Sequence, residues 1–336
     1  MNGPRIGAGQ ALATLYNALA TAMVVSLVAR RGPEVAREYV FRFFRRQHLE
    51  KFRAGLDKLG LAGLPHAVAC ALYHYHSNAL GGVKTEYVRE SDRKAWVRYP
   101  PPRWMWRGTA IAAIPHEVSA AMLHGWHGHN GVTLGNDKLG FVCTGMTVDG
   151  MPGLEGYYLE HDRPVAESGR VRFAYGEEAM PRFDPAQAPK LDAASWPAER
   201  LARVHTRYAM EYVRTMLPVL QELLGAEEAR MELGRVARLV GLQFYEETAT
   251  GQPFTQWLQS MLEAQGEEVD DLSIARWKLL EGIALPDRAG GFEAWNELWV
   301  GAALAHDRFM RLEARLEIRD DRLSARWKAT GRDRAG

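Results

Sequence analysis

Residues 292–307 read FEAWNELWVGAALAHD, and a charge-alternating stretch, RLEARLEIR over 311–319, follows them. The first stretch has the apolar spacing of a helix with a buried face. In the second, Leu312, Ala314, Leu316 and Ile318 alternate with Arg311, Glu313, Arg315 and Glu317. That period of two predicts a strand with one face buried and one face wet. Asp320 and Asp321 supply a turn, and Leu323, Ala325 and Trp327 continue the alternation on a returning strand. A long helix leading into a hairpin predicts an α+β fold.

The same arrangement occurs upstream. Glu117 to Gly125 and Glu293 to Gly301 are equal intervals of eight residues. Tyr16 precedes Gly32-Pro-Glu-Val-Ala by sixteen residues, and Tyr208 precedes Gly225-Ala-Glu-Glu-Ala by seventeen. Each glycine falls where one helix should end and the next begin. Helical segments follow at about 34–59 and 227–247. Arg93-Lys-Ala-Trp96 then matches Ile274-Ala-Arg-Trp277, and His129-Asn130 matches His306-Asp307. Upstream, residues 139–148, a turn at 149–153 and residues 154–160 take the place of the charged hairpin. They are apolar on both faces, which predicts an interior hairpin covered on both sides. The expectation is two tandem pseudo-repeated lobes, each of several helices plus short antiparallel hairpins. An N-terminal lobe over 1–176 and a mainly structural C-terminal lobe over 199–332 are joined by a Pro/Ala-rich linker, 177–198.

Composition narrows the classes of function. In 336 residues there are 42 basic and 41 acidic side chains, a formal charge of +1, which gives no electrostatic case for nucleic acid or an anionic membrane. Two cysteines, Cys70 and Cys143, make neither a disulfide framework nor a CxxC metal pair. A reducing, cytoplasmic setting is the expectation. Residues 11–29 carry no charge and approach bilayer-spanning length, but Thr14, Tyr16, Asn17, Thr21 and Ser26 dilute them, so a buried soluble helix is expected. There is no GxSxG elbow, P-loop, strand-borne GxGxxG or HExxH motif.

The 292–307 stretch with its charged hairpin, together with 208–247, resembles the L-2-amino-thiazoline-4-carboxylic acid hydrolase-like family. It is also similar to the related vinyl-reductase-type domains, which bind small hydrophobic molecules in an α+β pocket. The resemblance covers most of the second lobe and, more loosely, the first. It implies a small-molecule pocket and hydrolytic opening of a cyclic amidine-like ring. It is carried by scaffold residues, so it assigns no catalytic residue here.

The lobes differ where His116, His124 and His127 replace Phe292, Val300 and Ala303. On a helix continuing to His127, the three fall within an arc of about 80° at 100° per residue, turned toward the core. His124 and His127 could hold a divalent zinc or iron ion, with His116 or His161 joining and Glu160 supplying a carboxylate or moving protons. Acid–base histidines without metal, and structural histidines bonded to Tyr157, Tyr158 or backbone, are the alternatives. Cys143 is a candidate nucleophile if an imidazole lies within reach, although a buried cysteine is more often inert packing. Trp104, Trp106, Trp126, Tyr157 and Tyr158 could line an aromatic substrate pocket, although aromatics at this density are more often core.

The functional expectation is therefore a small-molecule hydrolase acting on a C–N or related bond of a compact cyclic amidine-like substrate. The alternative is a non-catalytic protein that binds or senses a small hydrophobic ligand. The partner is a small molecule, with neither nucleic acid nor membrane, and the sequence is compatible with a homodimer.

Overall fold

Gly32 has φ 88° and ψ 165°, and Gly225 has φ 82° and ψ 161°, conformations that glycine adopts without steric cost. Each ends one helix and opens the next: α1 (Ala8–Arg31) into α2 (Pro33–Lys58), and α6 (Ala198–Leu224) into α7 (Ala226–Thr248). Pro33 follows Gly32 at the first helical position, where its missing N–H costs nothing. The computed structural model describes residues 7–101, 108–192, 194–319 and 322–331; Trp104, Trp106 and the turn residues Asp320 and Asp321 lie outside them. The fold is mixed, with helices and predominantly antiparallel sheets.

The chain divides into two compact units, residues 24–198 and residues 199–336 together with 1–23. The first two thirds of α1, through Met23, thus belong with the C-terminal residues, a departure from a lobe running 1–176. By length and composition α1 could cross a membrane; in the protein, Leu12, Leu15, Tyr16, Leu19, Met23 and Leu27 are buried.

The unit over 24–198 continues from α2 with α3 (His66–Leu80), the hairpin β1 (Glu86–Arg89) and β2 (Lys94–Tyr99), α4 (His116–Gly125) and a short α5 (Asn130–Thr133). It ends with β3 (Leu139–Gly145), β4 (Leu154–Glu160) and β5 (Val171–Phe173). The strand order is β1-β2-β4-β3-β5, antiparallel except where β5 joins β3 in parallel. All seven residues of β3 are buried, as its two apolar faces predict. Adjacent residues of β4 point to opposite faces. Tyr158 meets Phe141, Asn130 and His127 on one side. Tyr157 joins Trp96, Val142, Ala174 and Met180 on the other, with Phe183 against them. The expected linker from 177 therefore begins inside this core. Tyr157 Oη donates to Glu178 at 2.9 Å, and Trp196 is buried with the Lys58 ammonium over its ring at 5.4 Å.

The other unit contains α6, α7, α8 (Phe254–Ala264), β6 (Val269–Asp270), β7 (Ser273–Ile274), α9 (Arg288–His306), β8 (Arg311–Arg319) and β9 (Arg322–Thr330). Its strand order is β6-β7-β9-β8. Trp257, Trp277, Trp295 and Trp299 are fully buried. Tyr16 Oη accepts from Trp295 Nε1 at 2.9 Å and donates to Gln265, tying α1 into this core. Helices α7 and α9 cross in near backbone contact: a Cβ added to Gly301 would lie 2.1 Å from the Arg238 carbonyl oxygen, and one at Gly241 would lie 2.0 Å from that of Leu298.

Candidate active site

Helix α4 stops at Gly125, and this decides where the histidines go. A Cβ at Gly125 would stand 2.6 Å from the Phe41 carbonyl oxygen, so α4 and α2 touch there. Trp126 leaves helical geometry with φ −111° and ψ −70°, and a 3₁₀ turn covers His127–His129. The 100° step therefore cannot be carried to His127. The expected inward arc of three imidazoles resolves into two sets: His127 is buried, whereas His116 and His124 are exposed.

The interior set is closed and aromatic. His127 stacks on His74 with ring centroids 4.2 Å apart and planes 6° from parallel, and Tyr158 lies parallel to both. His127 Nε2 is 3.1 Å from Tyr99 Oη. Asn130 Nδ2 donates to Tyr158 Oη at 2.8 Å. His48 Nδ1 is 2.8 Å from Arg45 Nη1, and its ring stacks on Phe52 at 5.0 Å. Burial, followed by the nearby charges of Arg45 and His129, pushes the His48 pKa down to about 3. Trp126 stacks on Tyr73 at 6.0 Å, a core contact. His74 and His48, which sequence reading did not assign to a site, belong to this set through α3 and α2.

The outer set is a dyad. His116, the first residue of α4, places Nδ1 2.8 Å from Asp149 Oδ2, and Tyr175 Oη donates to the same oxygen at 2.7 Å. Asp149 ends a 3₁₀ turn, Thr147–Asp149, closed by Gly150 at φ 83°. The imidazole is 42% exposed and the carboxylate 25%. Phe173, at the end of β5, lies 5.2 Å from the His116 ring and 6.0 Å from that of His124. Partial burial, and then the charge of His116, lowers the His124 pKa. Burial, and then its hydrogen bond to Asp149, raises that of Tyr175. Asp149 read only as a turn residue and Tyr175 gave no signal at all; 33 and 59 residues separate them from His116, so no local pattern could join them.

The remaining candidates are dispersed. Cys143 is fully buried, its Sγ 3.5 Å from the Gly145 carbonyl oxygen, and burial pushes its pKa up to about 12. Glu160 accepts from Asn136 Nδ2 at 2.8 Å, which also approaches His66 Nδ1 at 3.0 Å. His161 lines a separate cavity of about 440 Å³ with Asp162, Arg163 and Arg172. Tyr157 and Tyr158 face opposite sides of the sheet and cannot wall one pocket. Among the described residues, no group of three or more His, Cys, Asp and Glu is gathered to hold a metal ion, so the proposed ligands His116, His124, His127 and His161 do not converge.

Compared with protein-family models, curated proteins and solved structures, the chain matches none.

Proposed function

We propose that residues 24–198 carry the catalytic site of a small-molecule hydrolase, acting on a C–N bond of a compact cyclic amidine-like substrate, with His116 as the general base. The observation that carries this reading is the His116–Asp149 contact. A carboxylate on Nδ1 fixes the tautomer that leaves a lone pair on Nε2, and the imidazole is 42% exposed. Tyr175 steadies the carboxylate by donating to it. Phe173 offers an aromatic face beside the imidazole for a flat substrate. His116 Nε2 would take a proton from water as the oxygen adds to the amidine carbon, then return it to the departing nitrogen. The Cys143 thiol, with its raised pKa, is packing rather than nucleophile.

The same reading treats the two units as diverged copies. Their helix and hairpin order, the strand orders β1-β2-β4-β3 and β6-β7-β9-β8, and the paired glycines Gly32/Gly225 and Gly125/Gly301 support it. His116 then occupies the place of Phe292, and among the described residues β5 with Tyr175 has no counterpart in the other copy.

The test is a panel of cyclic amidines and thiazolines assayed for hydrolysis with the protein and two variants. His116→Phe, which installs the residue of the other copy, should keep the melting temperature and lower kcat at least about 100-fold, the scale of general-base catalysis. Asp149→Asn should lower kcat with little change in KM. Ligands that shift the melting temperature yet yield no product would remove the enzyme and leave a binding protein.

A further inference from the structure

Strand β8 is an edge: the sheet order is β6-β7-β9-β8, and among the described residues nothing pairs with its outer side. It runs nine residues in unbroken register with β9, from Arg311↔Thr330 to Arg319↔Arg322, with no bulge and no proline. Natural edges of this length are normally interrupted or covered, because a flat edge is a template for another strand. The other unit covers its equivalent edge: β5 pairs with β3 along Phe141↔Val171 to Cys143↔Phe173. Beside β8, a groove of about 710 Å³ lies open, walled by α7, α9 and the side chains of Phe292, Ala314 and Leu316.

The side chains of β8 specify what can fill the edge. Arg311, Glu313, Arg315, Glu317 and Arg319 are all exposed on one face; Leu312, Ala314 and Leu316 are buried or half-buried on the other, and Ile318 is 49% exposed. Charge alternates in sign along the exposed row, so the strand is complementary to itself when reversed. Centred on Ala314, an antiparallel pair sets Arg311 against Glu317 and Glu313 against Arg315, with Leu312 against Leu316 beneath. Centred on Arg315, every charged pair would be of like sign. Within the chain, Arg315 already faces Arg326 across β9, a repulsive pairing that a Glu313 from outside would relieve.

We propose that β8 is a dimerisation strand: two copies of this chain pair antiparallel through it, about a two-fold axis at Ala314. The sheets of the two copies then run on as one, and the symmetry is isologous, so the contact closes at two copies. This goes beyond the hydrolytic reading and stands independently of it.

Sedimentation velocity on the full chain, over a hundredfold range of concentration, should show a reversible dimer. Glu313→Arg with Glu317→Arg makes the row uniformly positive and should weaken the dimer at least about tenfold. Reversing all four charges (R311E, E313R, R315E, E317R) should restore self-association, which separates loss of pairing from misfolding. Ala314→Cys should give a disulfide-linked dimer on mild oxidation, Cys70 and Cys143 being buried, and Leu316→Cys should not. A monomer at every concentration overturns the proposal. So does a dimer that is insensitive to the charge changes, or one cross-linked through Leu316→Cys instead.

Discussion

His48 shows what a histidine costs when it is packed as an aromatic. It is 1% exposed, and its pKa of about 3 means the folded protein holds it neutral down to strongly acidic pH. The unfolded chain protonates near pH 6.5, so below that the unfolded state binds more protons and stability falls. The stabilisation is complete above pH 6.5 and declines by about 1.4 kcal/mol per pH unit until roughly pH 3. His76, His129 and His205 are also lowered chiefly by burial, and add to the same slope. His48→Gln, which keeps an acceptor for Arg45, should therefore lose less stability than the wild type between pH 7 and pH 5. Urea denaturation at the two pH values measures this, and identical slopes would refute the assignment. Of the interior histidines, His127 stood out in the sequence while His48 and His74 were not assigned to a site, because a packed core imidazole and a ligand look alike in one dimension.

At the scale of elements, the glycines were the most legible feature. The eight-residue interval to Gly125 and to Gly301 predicted equivalent positions, and both prove to be helix crossings, where a side chain would meet carbonyl oxygen. Gly301→Ala should cost about 1–3 kcal/mol, the usual range for overpacking, because α7 and α9 must separate. Gly63→Ala is the control, with nothing within 4 Å and no left-handed φ, and should be neutral or slightly stabilising. Equal midpoints for the two variants in chemical denaturation would sink the crossing argument. What the pattern hid was the end of α4: neither proline nor asparagine marks it, and Gly125, its last residue, has no left-handed φ. The dyad was half legible for a related reason. His116 stood out against Phe292, but Asp149 and Tyr175 reach it only through the turn after β3 and the segment after β5.

For the whole molecule, the consequential departure from the sequence reading is that α1 is divided between the units. Its first two thirds belong with residues 199–336, where Leu12, Leu15, Tyr16 and Leu19 are wholly buried and Tyr16 serves both Trp295 and Gln265. The long uncharged run that suggested a bilayer is in this setting a core helix. Burying four such side chains contributes about 6–12 kcal/mol, comparable to the net stability of an ordinary domain. A fragment of residues 199–336 should therefore lack cooperative unfolding, although it contains every strand of its sheet and the whole α7–α9 crossing. Adding a peptide of residues 8–31 in trans should restore it, with Tyr16→Phe in the peptide rescuing less well, because the Trp295 indole N–H would lose its acceptor. Circular dichroism during thermal melts distinguishes the cases. A fragment that melts as sharply as the full chain, with no peptide present, would show that the C-terminal residues hold their own core and that α1 merely lies upon it.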